Sequence, residues 1–95
     1  MVDPELDELR REFLAEAAEK VREIETALES ASIDRVTYLA HQLKGSGGSY
    51  GFKQISSVAA ELEKTAEKAG DEAKLRECAG SLRTEIEQRA KELGA

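Results

Sequence analysis

The sequence is poor in residues that interrupt helices or hold small folds together by covalent bonds. It has one proline, one cysteine and no tryptophan, and its aromatic residues are two tyrosines and two phenylalanines. A lone Cys78 cannot form an internal disulfide, and it has no second cysteine or nearby histidine with which to share a metal ion. The core must therefore come from aliphatic residues, which pack best along the stripes of long helices.

Long apolar runs and clustered basic residues are also missing. No stretch approaches the roughly 20 apolar residues of a membrane-spanning helix, and the N-terminus lacks the apolar block of a signal peptide. The 14 lysines and arginines are interleaved with 20 acidic residues, which gives a net charge of −6. We therefore expect a cytoplasmic protein that binds neither nucleic acid nor membranes, with residues 1–95 forming a single domain.

Apolar residues recur with helical spacing in four segments that short breaks separate. Asp3 before Pro4 is a helix-start signal, Gly51 and Gly70 suit helix ends, and Asp71 is a candidate N-cap for the last segment. Because connections of a few residues favour antiparallel neighbours, we predict an all-α fold. The expected architecture is an antiparallel up-down-up-down four-helix bundle with helices at about 4–30, 33–50, 52–69 and 71–93.

The second segment carries the sole histidine, His41, and four glycines lie close behind it in the sequence. A step of about 100° per residue places His41 on the outer face if Leu39 and Leu43 face the core. Each interior glycine lowers the stability of a helix by roughly 0.5–1 kcal/mol relative to alanine, so the presence of several glycines calls for an explanation. Two interpretations stay open. Residues 45–51 form a flexible loop beside an ordinary surface histidine, or the glycines bare the helix so that another protein can approach the imidazole, with Lys44 adding positive charge.

Three other kinds of site do not fit this segment. A phosphate-binding P-loop has its lysine after the glycines and follows a strand, whereas Lys44 precedes them on a predicted helix. A zinc site needs several histidine or cysteine ligands. A hydrolytic triad would need Ser46 or Ser49 as a nucleophile in a pocket that nothing in the sequence predicts.

The run Ala40-His41-Gln42-Leu43-Lys44-Gly45, followed by Gly48-Ser49 and Gly51-Phe52, resembles the signature of histidine phosphotransfer (HPt) domains. The resemblance is closest to the phosphotransfer domains of chemotaxis-type kinases and hybrid sensor kinases. It is strong over the second and third predicted helices and rests on length and pattern elsewhere.

The resemblance implies that His41 is the phosphorylated nucleophile and that Lys44 stabilises the charge of the phosphoryl group. It further implies that Glu63, on the third helix, accepts a hydrogen bond from the histidine ring and orients it. The alternative for Glu63 is a solvated side chain paired with Lys64 or Lys68.

The implied function is that of a phosphorelay intermediate in two-component signalling. His41 would exchange a phosphoryl group with an aspartate of a response-regulator receiver domain, or be phosphorylated by a partner histidine kinase domain. We expect a monomeric phosphocarrier without kinase activity of its own and without a bound cofactor or metal, the Mg²⁺ belonging to the partner domain. The alternative is a helical module that docks receiver or kinase domains without being phosphorylated. The sequence leaves open which partners it has, the direction of phosphoryl flow, and whether it is free-standing or part of a larger kinase.

The partner is expected to dock on the surface around His41. The residues predicted to form that surface, besides Lys44, are Thr37, Tyr38, Gln42, Gly45 and Gly48. The alternative for Tyr38 is that it only packs at the edge of the bundle.

Overall fold

The computed structural model describes residues 3–68 and 71–94, and these residues form four α-helices and no strand. The helices are α1 (Pro4–Glu29), α2 (Ile33–Ser49), α3 (Lys53–Glu67) and α4 (Glu72–Glu92). The predicted all-α fold and its four helices are thus confirmed, with boundaries that differ by a few residues. The predicted end of the third helix at Ala69 and Gly70 lies outside the described residues.

Capping hydrogen bonds confirm the two helix starts predicted at Asp3 and Asp71. The Asp3 carboxylate accepts the backbone N–H of Glu5 at 3.0 Å, directly before Pro4 in the first helical position. The Asp71 carboxylate accepts the N–H of Ala73 at 3.0 Å. Each cap satisfies a backbone donor that has no partner within its own helix.

Gly51 ends α2 as predicted, because it adopts the left-handed conformation with φ of 84°. Its N–H donates to the carbonyl of Gly48 at 3.1 Å, and the N–H of Phe52 donates to the carbonyl of Gly47 at 2.8 Å. This paired arrangement is the common glycine-terminated helix end. The next helix, α3, begins two residues later at Lys53.

α1 ends with the same hydrogen-bond pattern but without a glycine. The N–H of Ser32 donates to the carbonyl of Ala27 at 2.8 Å, and that of Ala31 donates to Leu28 at 3.2 Å. Ala31 therefore occupies the left-handed position, with φ of 55°. A side chain at this position is strained, since its Cβ crowds the backbone.

The core is built from one aliphatic stripe per helix, as the periodicity predicts. α2 packs against α1 and α3, and α4 packs against the same two helices, whereas the described parts of α2 and α4 do not approach each other. The outward face of α2 therefore lies between α1 and α3. The fully buried large side chains are Leu14, Val21, Ile24, Val36, Leu43, Ile55, Leu62, Leu75 and Leu82.

Hydrogen bonds join the start of α1 to the ends of two other helices. Nε of Arg10 donates to the carbonyl of Tyr50, at the end of α2, at 3.1 Å. Nε of Arg11 donates to the carbonyl of Leu93, at the end of α4, at 2.7 Å. These bonds supply donors to carbonyls at helix ends, where intrahelical partners run out.

Cys78 on α4 is partly buried and packs against the core. Burial, followed by the negative charge of Glu61, raises the pKa of its thiol. The thiol therefore stays protonated at neutral pH. Within the described part of the chain, no helix has the length and apolar character needed to cross a membrane.

Candidate functional site

His41 lies on the outer face of α2, as the helical step predicts. Its side chain is 68% exposed, whereas the adjacent Ala40 and nearby Leu43 are buried in the core. The loop interpretation of the glycine-rich segment is wrong, because α2 continues as a helix through Ser49. The imidazole therefore projects from a continuous helix and is accessible to another protein.

Glu63 of α3 bridges the two candidate site residues of α2. Its Oε2 lies 2.7 Å from Nδ1 of His41, and its Oε1 lies 3.5 Å from Nζ of Lys44. The glutamate side chain is only 14% exposed, so its two oxygens are held between α2 and α3. Among the described residues it forms no ion pair with Lys64 or Lys68, the partners considered in the alternative interpretation.

The contact with Glu63 determines which ring nitrogen of His41 carries the proton. An ionised carboxylate can only accept hydrogen bonds, so Nδ1 of His41 must be the donor. In the neutral ring, Nε2 then carries the lone pair. No side chain within residues 3–68 and 71–94 forms a hydrogen bond with Nε2. In this tautomer the unprotonated Nε2 is the ring nitrogen that faces away from Glu63.

Lys44 lies one helical turn from His41, with its side chain 48% exposed. Its ammonium group is near enough to the imidazole to reach the same carboxylate. A flexible lysine at this position can turn toward an anionic group that arrives at the ring.

The interior glycines of α2 have two different surroundings. Apart from the backbone of its own helix turn and its chain neighbours, a Cβ added to Gly45 would meet no atom within 4 Å, and at Gly48 the nearest would be the hydroxyl of Ser56 at 3.6 Å. Both residues are exposed. Gly47 is buried, and its Cβ would lie 3.2 Å from side-chain and backbone atoms of Ile55 and Ser56. Gly47 therefore allows α3 to approach α2, whereas Gly45 and Gly48 leave the surface near His41 bare.

The remaining predicted docking residues differ in how far they reach solvent. Tyr38 is 57% exposed, so it is not packed into the edge of the bundle, and its hydroxyl accepts a hydrogen bond from Nε2 of Gln42 at 2.9 Å. Gln42 is half-buried, and so is Thr37, whose hydroxyl donates to the carbonyl of Ile33 at 3.0 Å. Tyr38 and Gln42 therefore form a hydrogen-bonded pair, in which Tyr38 lies one turn before His41 and Gln42 directly follows it.

The sequence did not reveal two residues that the fold brings to this region. Lys20 of α1 lines an open depression together with His41, Gln42, Gly45, Ser46, Ser49 and Tyr50. Ser56 of α3 donates a hydrogen bond from its hydroxyl to the carbonyl of Lys44 at 2.8 Å. Both lie on neighbouring helices, and no local pattern signals which of their side chains faces α2.

Of the comparisons with known proteins, the one with family models gave a match. The family model described as Hpt domain matches residues 8–92, a range that contains His41, Lys44 and Glu63. The chain belongs to the Hpt domain family. Membership in the Hpt family implies a role in phosphotransfer within two-component signalling. Searches of curated proteins and of solved structures gave no match.

Proposed function

We propose that this Hpt domain is a phosphorelay intermediate in which His41 exchanges a phosphoryl group with an aspartate of a receiver domain. The observation that carries the proposal is the exposed imidazole whose Nδ1 is held 2.7 Å from Glu63, which directs Nε2 toward solvent. Initial phosphorylation by a histidine kinase domain would use the same nitrogen.

The transfer requires no proton to leave or enter the site. The lone pair of Nε2 attacks phosphorus, the N–P bond forms, and the bond between phosphorus and the aspartyl oxygen breaks with its electron pair on the carboxylate. The proton on Nδ1 stays in its hydrogen bond to Glu63. Because the ring gains positive charge in this step, the carboxylate beside it stabilises the phosphorylated form. Donation to a second receiver reverses the same changes.

Lys44 is the candidate for stabilising the phosphoryl oxygens. A phosphorylated side chain carries about two negative charges near neutral pH. Lys44 lies close enough to share Glu63 with His41, so the incoming anion can compete with the carboxylate for the ammonium group. We expect Lys44→Ala to slow transfer in both directions.

The receiver is proposed to dock on the face of α2 that holds His41. Gly45 and Gly48 present backbone instead of side chains there, and Tyr38 and Gln42 form its next turn. Mg²⁺ is assigned to the partner's aspartate site. The chain itself would act as a monomeric carrier, and the donor kinase would be a separate domain.

An antiparallel up-down-up-down topology is part of this proposal. It is supported by the hydrogen bonds that join Arg10 and Arg11, at the start of α1, to the ends of α2 and α4. In that arrangement the turn after α2 brings α3 back alongside it, so Glu63 reaches His41 from the C-terminal half of a neighbouring helix.

The proposal is tested with receiver domains charged by a small-molecule phosphodonor and mixed with wild-type protein or His41→Gln. The expected product is an acid-labile, base-stable phosphoryl group on the wild-type chain and none on the variant. Because the sequence holds one histidine, any phosphohistidine detected by mass spectrometry lies at His41. A wild-type chain that binds receivers but takes up no phosphoryl group would favour the docking-module alternative instead.

A further inference from the structure

Ser56 uses its hydroxyl in an unusual way for a serine inside a helix. Helical serines and threonines commonly donate to the carbonyl four residues earlier, as Ser49 does to Gly45 and Thr65 does to Glu61. Ser56 instead donates across to α2, to the carbonyl of Lys44 at 2.8 Å. The side chain is half-buried at the contact between the two helices.

Ser56 and Glu63 lie two helical turns apart and therefore share one face of α3. Ser56 binds the backbone carbonyl of Lys44, and Glu63 binds the ammonium group of the same lysine. Glu63 also accepts the hydrogen bond from His41. α3 thus contacts Lys44 at its backbone carbonyl and at its ammonium group, and it contacts His41 at the ring.

The close approach of Ser56 depends on the absence of a side chain at Gly47. A Cβ at that position would lie 3.2 Å from the backbone nitrogen of Ser56, tighter than ordinary van der Waals contact. The buried glycine and the serine hydroxyl therefore act on the same contact. Together they set how α2 lies along α3.

We infer that Ser56 is a positioning residue of the phosphotransfer site. Its hydrogen bond to Lys44 fixes α2 along α3 so that the Glu63 carboxylate stays within reach of Nδ1 of His41. The consequence for transfer rests on the proposed function, whereas the consequence for the imidazole does not. The two can be measured separately.

Loss of the Ser56 hydroxyl should not unfold the bundle. A backbone carbonyl accepts up to two hydrogen bonds, and the helix geometry supplies a second donor to Lys44 from the N–H of Gly48. Ser56→Ala therefore leaves no buried backbone group without a partner. A purely structural role would lower thermal stability and leave the state of the His41 ring unchanged.

The experiment compares wild type with Ser56→Ala, Ser56→Thr and the control Ser57→Ala, an exposed neighbour on α3. The ¹⁵N NMR shifts of the His41 ring report the fraction of neutral imidazole protonated at Nδ1. We expect that fraction to fall in Ser56→Ala, to be unchanged in Ser57→Ala, and to be restored in Ser56→Thr. The saturated transfer rate from a phosphorylated receiver should fall about two- to tenfold in Ser56→Ala, the effect of one ordinary hydrogen bond, with an unchanged half-saturating concentration.

A folded Ser56→Ala protein with the wild-type tautomer fraction overturns the inference. If Ser56→Ala does not fold, Gly47→Ala serves in its place, since it displaces the backbone of Ser56 while keeping the hydroxyl, and an unchanged tautomer there overturns the inference equally. If the tautomer changes as expected but wild-type protein accepts no phosphoryl group, the proposed function fails and the positioning role of Ser56 stands.

Discussion

The carboxylate of Glu63 lies 2.7 Å from Nδ1 of His41, and the two side chains differ sharply in exposure, at 14% and 68%. The glutamate is held in the contact between α3 and α2, and the imidazole that it orients projects into solvent. The imidazole is thereby oriented without being covered, as the proposed transfer to a second protein requires.

Removing this carboxylate should slow phosphotransfer without preventing docking. For Glu63→Ala we expect a transfer rate about 10- to 100-fold lower, the rate equivalent of losing a hydrogen bond to a charged group. Receiver affinity, measured by titration calorimetry, should stay close to wild type. Glu67→Ala, at an exposed glutamate one turn further along α3, is the control. A rate equal to wild type in Glu63→Ala would remove Glu63 from the site.

The bare surface at Gly45 is predicted to serve partner approach at the expense of stability. Gly45→Ala should raise the free energy of unfolding by roughly 0.5–1 kcal/mol, because the added Cβ meets no atom within 4 Å. Gly45→Leu should slow transfer by obstructing the receiver. A Cβ added to Gly80 of α4 likewise meets no atom within 4 Å, and the described part of α4 does not contact α2, so Gly80→Leu is the control and should transfer at the wild-type rate. Equal rates for the two leucine variants would contradict the prediction.

Charge reversal at Lys20 should weaken docking of a phosphorylated receiver. Lys20 lines the depression beside His41, and the incoming aspartyl phosphate is anionic. We expect Lys20→Glu to raise the receiver concentration for half-maximal transfer severalfold, less so at high salt because exposed charges are screened. Lys74→Glu makes the same change of charge on α4, away from α2. If both variants shift the half-maximal concentration equally, net charge and not the depression is responsible.

A stability prediction concerns the turn between α1 and α2. Ala31 has φ of 55°, a conformation that glycine adopts without strain. Ala31→Gly should therefore raise the free energy of unfolding by about 0.5–1 kcal/mol, even though glycine increases the entropy of the unfolded chain. Ala15→Gly, at an exposed position inside α1, should lower it by about 1 kcal/mol. Urea denaturation of both variants gives the comparison, and destabilisation by Ala31→Gly would contradict the expected strain.

Local sequence patterns predicted the four helices and the outward position of His41. Helical periodicity repeats every few residues, so Leu39 and Leu43 place the histidine between them on the opposite face without reference to the rest of the fold. Capping is equally local, which is why Asp3 and Gly51 mark helix ends correctly. The spacing of His41 and Lys44 along one helix follows from the same geometry.

The contacts between helices were decided by the tertiary structure. Whether Glu63 meets the imidazole, which atom Ser56 binds and whether Lys20 borders the site all depend on how far each helix is shifted and rotated against α2. That arrangement results from the packing of many side chains that are distant in sequence. It therefore cannot be predicted from any single segment. Local sequence patterns by themselves thus determined the helix and the exposed histidine on it. Glu63 was expected only through the resemblance to HPt domains, and the folded bundle places its carboxylate against the ring.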